Sequence, residues 1–169
     1  MSLEIKIISK EIQQCLYDQG KTLATAESCT GGRIAEAIIA VPGASNYFKG
    51  GIISYTNEVK ERLLHVDPKV LEEQTAVCEE VARQMVQGVC DALDVDYAIS
   101  ATGIAGPGGG TPEIPVGTIW LGYGSKDDVR TYKLTDDEGR DLNLAMATRT
   151  ALKLFLNYLK ELELDQIEE

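Results

Sequence analysis

The sequence feature that most constrains the fold is a strand-to-helix turn near the N-terminus. A short apolar run at 22–26 predicts a buried strand, and Ile34, Ile38 and Val41 follow it at helical spacing. The stretch between them ends in two glycines, Gly31 and Gly32. Such a turn is typical of an open α/β sheet, in which ligands lie at the carboxyl ends of the strands. We therefore expect a ligand site at this turn.

The turn concentrates reactive groups in a small space. Glu27, Ser28, Cys29 and Thr30 supply a carboxylate, two hydroxyls and a thiol. The glycines let a substrate approach the backbone, and the helix behind them presents free N–H groups and a positive dipole end. The same residues have an alternative interpretation, in which Ser28 or Thr30 only caps the helix.

Helical and strand patterns alternate along the rest of the chain. Helices are predicted at 3–18, 31–40, from Thr56, from Asp67, from Cys78 and at 138–162, and strands at 50–55, 97–101, 116–123 and 129–134. The residues 124–128 are predicted to join the last two strands as a hairpin. This order predicts an α/β fold: a three-layer α/β/α sandwich with a mixed, mostly parallel sheet of about five strands, one of them antiparallel. We expect residues 1–169 to form one domain, with a frayed acidic tail at 161–169.

The net charge and composition of the chain indicate which kinds of molecule it is expected to bind. A net charge of −11 argues against a nucleic-acid-binding or anionic-membrane surface, although a local cluster of N–H groups can still bind a small anion. The sequence has no membrane-length apolar run, no secretory signal and no CxxC spacing, which predicts a cytoplasmic protein with reduced thiols. The single histidine, His65, is expected at the surface or at a helix cap and not as a metal ligand.

A second unusual stretch runs from Thr102 to Pro115. It contains five glycines and three prolines in fourteen residues, which predicts a loop. The loop is not a P-loop, because no Gly-Lys-Ser/Thr closes it, and Thr111 stands where a dinucleotide fingerprint needs its third glycine. Consecutive N–H groups with little side-chain bulk are suited to hold a phosphate or carboxylate. The alternative is a mobile loop without a ligand.

Lys60 and Tyr55 are the candidate partners of the Ser28 turn. Tyr55 ends a predicted strand, and Lys60 lies about one turn into the next helix. A nucleophilic serine without a usable histidine needs another base, and a lysine serves if burial lowers its pKa. Tyr55 would relay a proton or orient the amine. The alternative interpretation is a solvated Lys60 and an amphipathic Tyr55.

Four motifs resemble those of the CinA C-terminal domain family and follow one another in the same order as in that family, over about residues 5–160. They are Ala26-Glu-Ser-Cys-Thr-Gly-Gly32, Val41-Pro-Gly-Ala-Ser45, Gly50-Gly-Ile-Ile-Ser-Tyr-Thr-Asn-Glu-Val-Lys60, and Thr102-Gly-Ile-Ala-Gly-Pro-Gly-Gly-Gly-Thr-Pro-Glu113 with Pro115-Val-Gly-Thr118. The resemblance implies a nicotinamide-nucleotide amidase, which converts nicotinamide mononucleotide (NMN) to nicotinate mononucleotide and ammonia and so recycles the pyridine nucleotide. Related two-domain proteins carry a further N-terminal domain.

The resemblance also implies roles for individual residues. Ser28 matches the nucleophile and Lys60 the base, with Tyr55 beside them, and the N–H groups around Thr30, Gly31 and Gly32 are expected to bind the oxyanion. Cys29 is the alternative nucleophile. No metal or cofactor is implied. The residues expected to bind the substrate are Glu27, Thr30, Gly31, Gly32, Ser45, Thr102, Gly103, Gly106, Gly108 and Arg140.

The chain departs from the family pattern in three places. Cys78 replaces a serine, Asp137-Glu138-Gly139-Arg140 replaces a Gly-Asp-Arg pattern, and Leu144 replaces a second arginine. These departures motivate an alternative function, a non-catalytic nucleotide-binding or regulatory module. A third possibility is a homo-oligomeric interaction protein with a vestigial pocket. We expect the protein to form a homo-oligomer under each of these three functions.

Overall fold

A five-stranded mixed sheet forms the middle layer of the computed structural model, which describes residues 1–169. Its strands lie in the order β2-β1-β3-β4-β5. Strand β4 runs antiparallel to both neighbours and the other four strands share one direction, which confirms the predicted sheet. The strands are β1 (Leu23–Glu27), β2 (Phe48–Ile53), β3 (Tyr97–Gly103), β4 (Ile119–Ser125) and β5 (Asp128–Leu134).

Helices cover both faces of the sheet, as the predicted sandwich requires. They are α1 (Leu3–Gln19), α2 (Arg33–Ile39), α3 (Asn57–Leu64), α4 (Pro68–Gln74), α5 (Glu79–Leu93) and α6 (Arg140–Glu168). Alternate residues of β1 reach opposite layers, because Leu23 packs with α1, α2 and α6 whereas Ala24 and Ala26 pack with α3, α4 and α5. None of these helices is both long and apolar enough to cross a bilayer.

Local sequence signals set several of the helix ends. The Thr56 side chain accepts a hydrogen bond from the Val59 N–H and so begins α3. Asp67 caps α4 with Pro68 at its first position. Gly20 ends α1 in the left-handed conformation that a glycine adopts without strain. These ends match the sequence-based predictions.

Several boundaries differ from the predictions. Strand β2 lies at Phe48–Ile53 and not at 50–55, so Tyr55 follows the strand and does not end it, and β4 begins at Ile119 and not at 116. The β4–β5 connection is two residues, 126–127, and not five, because both strands extend to the Ser125–Asp128 pair. Helix α6 continues to Glu168, so the tail predicted to be frayed is helical. The extension is held because Leu162 packs against the core, Glu161 pairs with Arg130, and Gln19 donates a hydrogen bond to Glu163.

Gly88 allows α5 to approach α3 closely. A Cβ at Gly88 would lie 2.0 Å from the Leu64 carbonyl oxygen and 2.8 Å from the Leu64 Cα. We expect Gly88→Ala to lower the free energy of unfolding by about 1–3 kcal/mol despite the higher helix propensity of alanine, because backbone must move. Urea denaturation measures this, with Gly108→Ala as the control, since its Cβ would meet nothing within 4 Å. Unchanged stability in Gly88→Ala would contradict the close packing.

Candidate active site

A cavity of about 310 Å³ opens where β1 and β3 end, at the predicted edge of the sheet. It brings the three predicted catalytic residues, Ser28, Lys60 and Tyr55, to one place. The predicted binding residues that line it are Thr102, Gly103, Gly106, Gly108 and Arg140.

The side chains of Ser28 and Lys60 are in direct contact. Lys60 Nζ lies 2.8 Å from Ser28 Oγ and donates a hydrogen bond to the Ser54 carbonyl oxygen at 2.7 Å. Lys60 is only 1% exposed and forms no salt bridge within residues 1–169. Burial without a counter-charge lowers the Lys60 pKa from 10.5 to about 8. The alternative of a solvated Lys60 is therefore wrong.

The ends of two strands hold this pair in place. The Ser54 N–H donates to the Glu27 carbonyl at 2.8 Å, which joins the residue after β2 to the last residue of β1. The Ser28 N–H donates to the Ala101 carbonyl of β3 at 2.9 Å. Because Ser54 and Ser28 are both fixed to the sheet, the amine of Lys60 meets the Ser54 carbonyl and the Ser28 hydroxyl together.

Glu27 stabilises the turn and does not line the cavity. Its carboxylate accepts hydrogen bonds from the Thr30 hydroxyl at 2.7 Å, the Ile34 N–H at 2.8 Å and the Ala35 N–H at 3.0 Å. A buried carboxylate on the first N–H groups of α2 is a helix cap with favourable dipole electrostatics. The predicted substrate contact of Glu27 is therefore corrected to a structural role.

Four other predicted binding residues also lie outside the cavity lining. The hydroxyl of Thr30 is used by Glu27, and the Gly31 N–H donates to the Ser28 carbonyl at 3.1 Å, so Gly31 is not free to bind an oxyanion. Gly32 caps α2 at a positive φ of 103°. Ser45 is exposed in the single helical turn Ala44–Asn46. None of these four residues lines the cavity, and of the three predicted oxyanion donors only the Gly31 N–H has an acceptor among the backbone bonds.

The backbone N–H directly after Ser28 belongs to a residue that lines the cavity. The Cys29 N–H has no hydrogen-bond acceptor in the structure, and Cys29 lines the cavity. An N–H group directly after a nucleophile is a common oxyanion donor. The Cys29 thiol itself is buried, and burial raises its pKa to about 12, so it is held as the weakly nucleophilic thiol. Ser28, and not Cys29, is the side chain that forms a hydrogen bond with the Lys60 amine.

The glycine-rich loop presents backbone N–H groups on the other side of the cavity. The N–H groups of Ala105, Gly106, Gly108 and Gly109 have no acceptor in the structure. Both ends of this segment are nevertheless anchored, because the Ile104 N–H donates to Thr118 and the Gly117 N–H donates to Ile104. Such a cluster of unpaired donors is suited to an anion.

Tyr55 lies at the rim and not against the amine. Its side chain is 62% exposed and makes no hydrogen bond to Lys60 or Ser28. The lining residues that the sequence did not predict are Asn57, Ala76 and Val77, whereas Ile104, Ala105 and Gly109 belong to the predicted glycine-rich loop. Asn57 follows the predicted helix cap and could have been found there. The segment of Ala76 and Val77, between α4 and α5, carries no local signal of its place in the site.

The departures from the family pattern have identifiable structural places. Cys78 is the residue before α5 and makes no side-chain cap bond, and Gly139 holds the same position before α6. Glu138 donates its backbone N–H to Asn143. Leu144, which stands where the family pattern has a second arginine, lies on α6 and is 1% exposed in the core that α6 forms with the sheet and α1. Its side chain therefore does not face the cavity.

Comparisons with known proteins agree with the fold and the motifs. The family model "CinA C-terminal domain" matches residues 5–159. The chain is 44% identical over 156 residues to a CinA-like protein of Leptospira interrogans and 42% identical over 152 residues to one of Cytophaga hutchinsonii. These alignments cover 92% and 90% of this chain but only 37% and 36% of the relatives, so the chain spans little more than a third of their length.

Solved structures match over nearly the whole chain. The crystal structure of competence/damage inducible protein CihA from Agrobacterium tumefaciens has a TM-score of 0.89 and 35% identity, and covers 95% of this chain and 99% of that one. A competence-damaged protein (CinA) superfamily protein from Escherichia coli has a TM-score of 0.85 and 34% identity, covering 88% and 87%. On the family model and these relatives together, the chain belongs to the CinA C-terminal domain family.

Proposed function

We propose that the chain is an amidase that hydrolyses NMN to nicotinate mononucleotide and ammonia. The observation that carries the proposal is the 2.8 Å contact between the buried Lys60 amine and the Ser28 hydroxyl at the floor of a cavity. A buried amine with a pKa of about 8 is a competent general base near neutral pH. A serine beside such a base is suited to acyl transfer, and an amide is an acyl donor.

The reaction proceeds in two balanced halves. Neutral Lys60 takes the Ser28 proton as Oγ attacks the carboxamide carbon, and the Cys29 N–H binds the oxyanion that forms. Protonated Lys60 then gives that proton to the departing nitrogen, which leaves as ammonia. The acyl group stays bound to Ser28 as an ester. Water then attacks the ester carbon as Lys60 takes one of its protons, the bond between the acyl carbon and Ser28 Oγ breaks, and Lys60 returns the proton to Oγ as nicotinate mononucleotide is released.

The Ser54 carbonyl suits Lys60 to both tasks. It accepts one amine hydrogen at 2.7 Å and so fixes the orientation of the nitrogen. In the neutral amine this leaves the lone pair available to the Ser28 hydroxyl. In the protonated amine the same carbonyl stabilises the added charge.

The loop N–H groups and Arg140 supply the site for the phosphate of NMN. Arg140 uses one N–H on the Gly106 carbonyl at 2.7 Å and has further donors for a ligand. These local donors offset the repulsion that a chain of net charge −11 exerts on an anion. We infer that the exposed ring of Tyr55 packs on the pyridine ring, because the side chain lines the cavity and makes no hydrogen bond to Lys60 or Ser28 that a proton relay would use.

The test is an ammonia-release assay with NMN, nicotinamide riboside and nicotinamide. We expect NMN to be the best substrate, and nicotinamide riboside to have a kcat/KM lower by about tenfold to a hundredfold, because hydrogen bonds to a charged phosphate contribute about 1.5–3 kcal/mol. Equal kcat/KM for NMN and the riboside would remove the phosphate site from the proposal. No ammonia from any of the three would remove the amidase.

The second candidate is the nucleotide-binding module without catalysis, which the departures at 137–140 motivate. It predicts thermal stabilisation by NMN and by nicotinate mononucleotide with no ammonia release. The amidase predicts turnover of NMN together with binding of the product.

A further inference from the structure

We propose that Asn143 is the positioning residue that sets the binding shape of the glycine-rich loop. Asn143 lies in the first turn of α6 and is 4% exposed, and it does not line the cavity. Its action on a ligand is therefore indirect, through the backbone that it holds. This inference rests on the proposed function only for the identity of the ligand.

The Asn143 amide joins the glycine-rich loop to the turn that precedes α6. Nδ2 donates to the Ala105 carbonyl at 3.0 Å and to the Asp137 carboxylate at 3.0 Å. Oδ1 accepts from the Glu138 N–H at 2.9 Å. Both amide hydrogens and the amide oxygen are thus used. Every one of these partners belongs to the loop or to the turn that precedes α6.

By holding the Ala105 carbonyl, Asn143 also orients the N–H of Gly106, which lines the cavity. The Ala105–Gly106 peptide is trans, so its C=O and its N–H point in opposite directions. Because Asn143 holds the Ala105 carbonyl, the Gly106 N–H lies on the opposite face of that peptide, where it has no acceptor. Arg140 holds the next carbonyl, that of Gly106, at 2.7 Å. The first turn of α6 thereby fixes two successive peptides of the loop.

A side chain with this role needs both a donor pair and an acceptor. Aspartate at position 143 keeps the size and the acceptor but cannot donate to the Ala105 carbonyl, and it places a second carboxylate beside Asp137. The turn would be disturbed by charge repulsion and the loop by the lost hydrogen bond. These two effects can be separated, because only the lost hydrogen bond to Ala105 concerns the loop.

The experiment compares Asn143→Asp with the parent protein by hydrogen exchange and by steady-state kinetics. We expect faster exchange at the Ile104 and Gly117 amides, which bond within the anchored loop, and unchanged exchange in α1. We expect KM for NMN to rise about tenfold with kcat within about threefold, and KM for nicotinamide riboside to change little. Asn157→Asp, the same substitution at an exposed position of α6, is the matched control and should leave the exchange rates, kcat and both KM values unchanged.

The charge swap Asn143→Asp with Asp137→Asn separates positioning from stability. The swapped pair restores a neutral donor beside a carboxylate but leaves the Ala105 carbonyl without its partner. We expect Tm to return toward the parent value while KM for NMN stays high. Recovery of KM together with Tm, or unchanged exchange at Ile104 and Gly117 in Asn143→Asp, would overturn the proposal. If NMN is not turned over, the exchange result still decides the role of Asn143 and only the proposed function fails.

Discussion

Ser28→Ala is expected to lower kcat/KM for NMN by at least about three orders of magnitude while the protein stays folded and binds NMN. Ser28 Oγ is the side-chain oxygen that contacts the Lys60 amine, so its removal takes away the attacking atom. The Ser28 backbone bonds to Ala101 and Gly31 do not depend on the hydroxyl, so the turn should persist. Ammonia release measures the rate, and calorimetric titration with NMN measures binding.

Ser54→Ala is the matched control for this prediction. It removes a hydroxyl from the neighbouring buried serine, and that hydroxyl makes no hydrogen bond in the structure. The bond from Lys60 goes to the Ser54 backbone carbonyl, which alanine retains. We expect activity within a few-fold of the parent. A Ser28→Ala protein within tenfold of the parent would instead point to Cys29, and Cys29→Ala would then be the inactive variant.

The turn at Ser28 could be predicted because its signals are local. The apolar run before it, the two glycines and the helical spacing after it are all contained within about twenty residues. The position of Lys60 relative to Tyr55 followed in the same way from a helix cap at Thr56. The four motifs and their order along the chain also allowed the family to be predicted, and the family model confirmed that prediction.

The burial of Lys60 and the role of Glu27 could not be predicted locally. Whether Lys60 faces solvent depends on α3 packing against α5 at Gly88, which only the tertiary structure provides. Glu27 looked like a ligand contact because it stands beside Ser28, but the N–H groups of Ile34 and Ala35 were a nearer partner for its carboxylate. Ala76 and Val77 were missed because an irregular segment carries no periodicity to place it.

The pH dependence of turnover is expected to report on Lys60. Since the base must be the neutral amine and its pKa is about 8, only about a tenth of it is active at pH 7. We expect kcat/KM for NMN to rise about tenfold per pH unit below about pH 8 and to level off above it. Lys60→Arg keeps a positive charge but supplies no neutral base, so activity should fall by at least about a thousandfold. Near-normal turnover in Lys60→Arg would assign the base to a water, since the Glu27 carboxylate is already engaged with α2 and Tyr55 makes no hydrogen bond to Ser28.

Lys60→Met is expected to abolish turnover and to stabilise the fold below pH 8. The folded-state pKa of Lys60 is about 8 against 10.5 for a free lysine, so the unfolded chain binds more protons between these values and parent stability rises with pH across that range. Below pH 8 the parent bears the whole cost of a buried charge, at most about 3 kcal/mol, and methionine avoids it. The Ser54 carbonyl loses its partner at a cost of about 1 kcal/mol, which leaves a net gain of about 1–2 kcal/mol at pH 6. Denaturation at pH 6 and pH 10 measures the difference between variant and parent. The gain should be larger at pH 6, and equal differences at the two pH values would show that Lys60 is not a strained base in the folded protein.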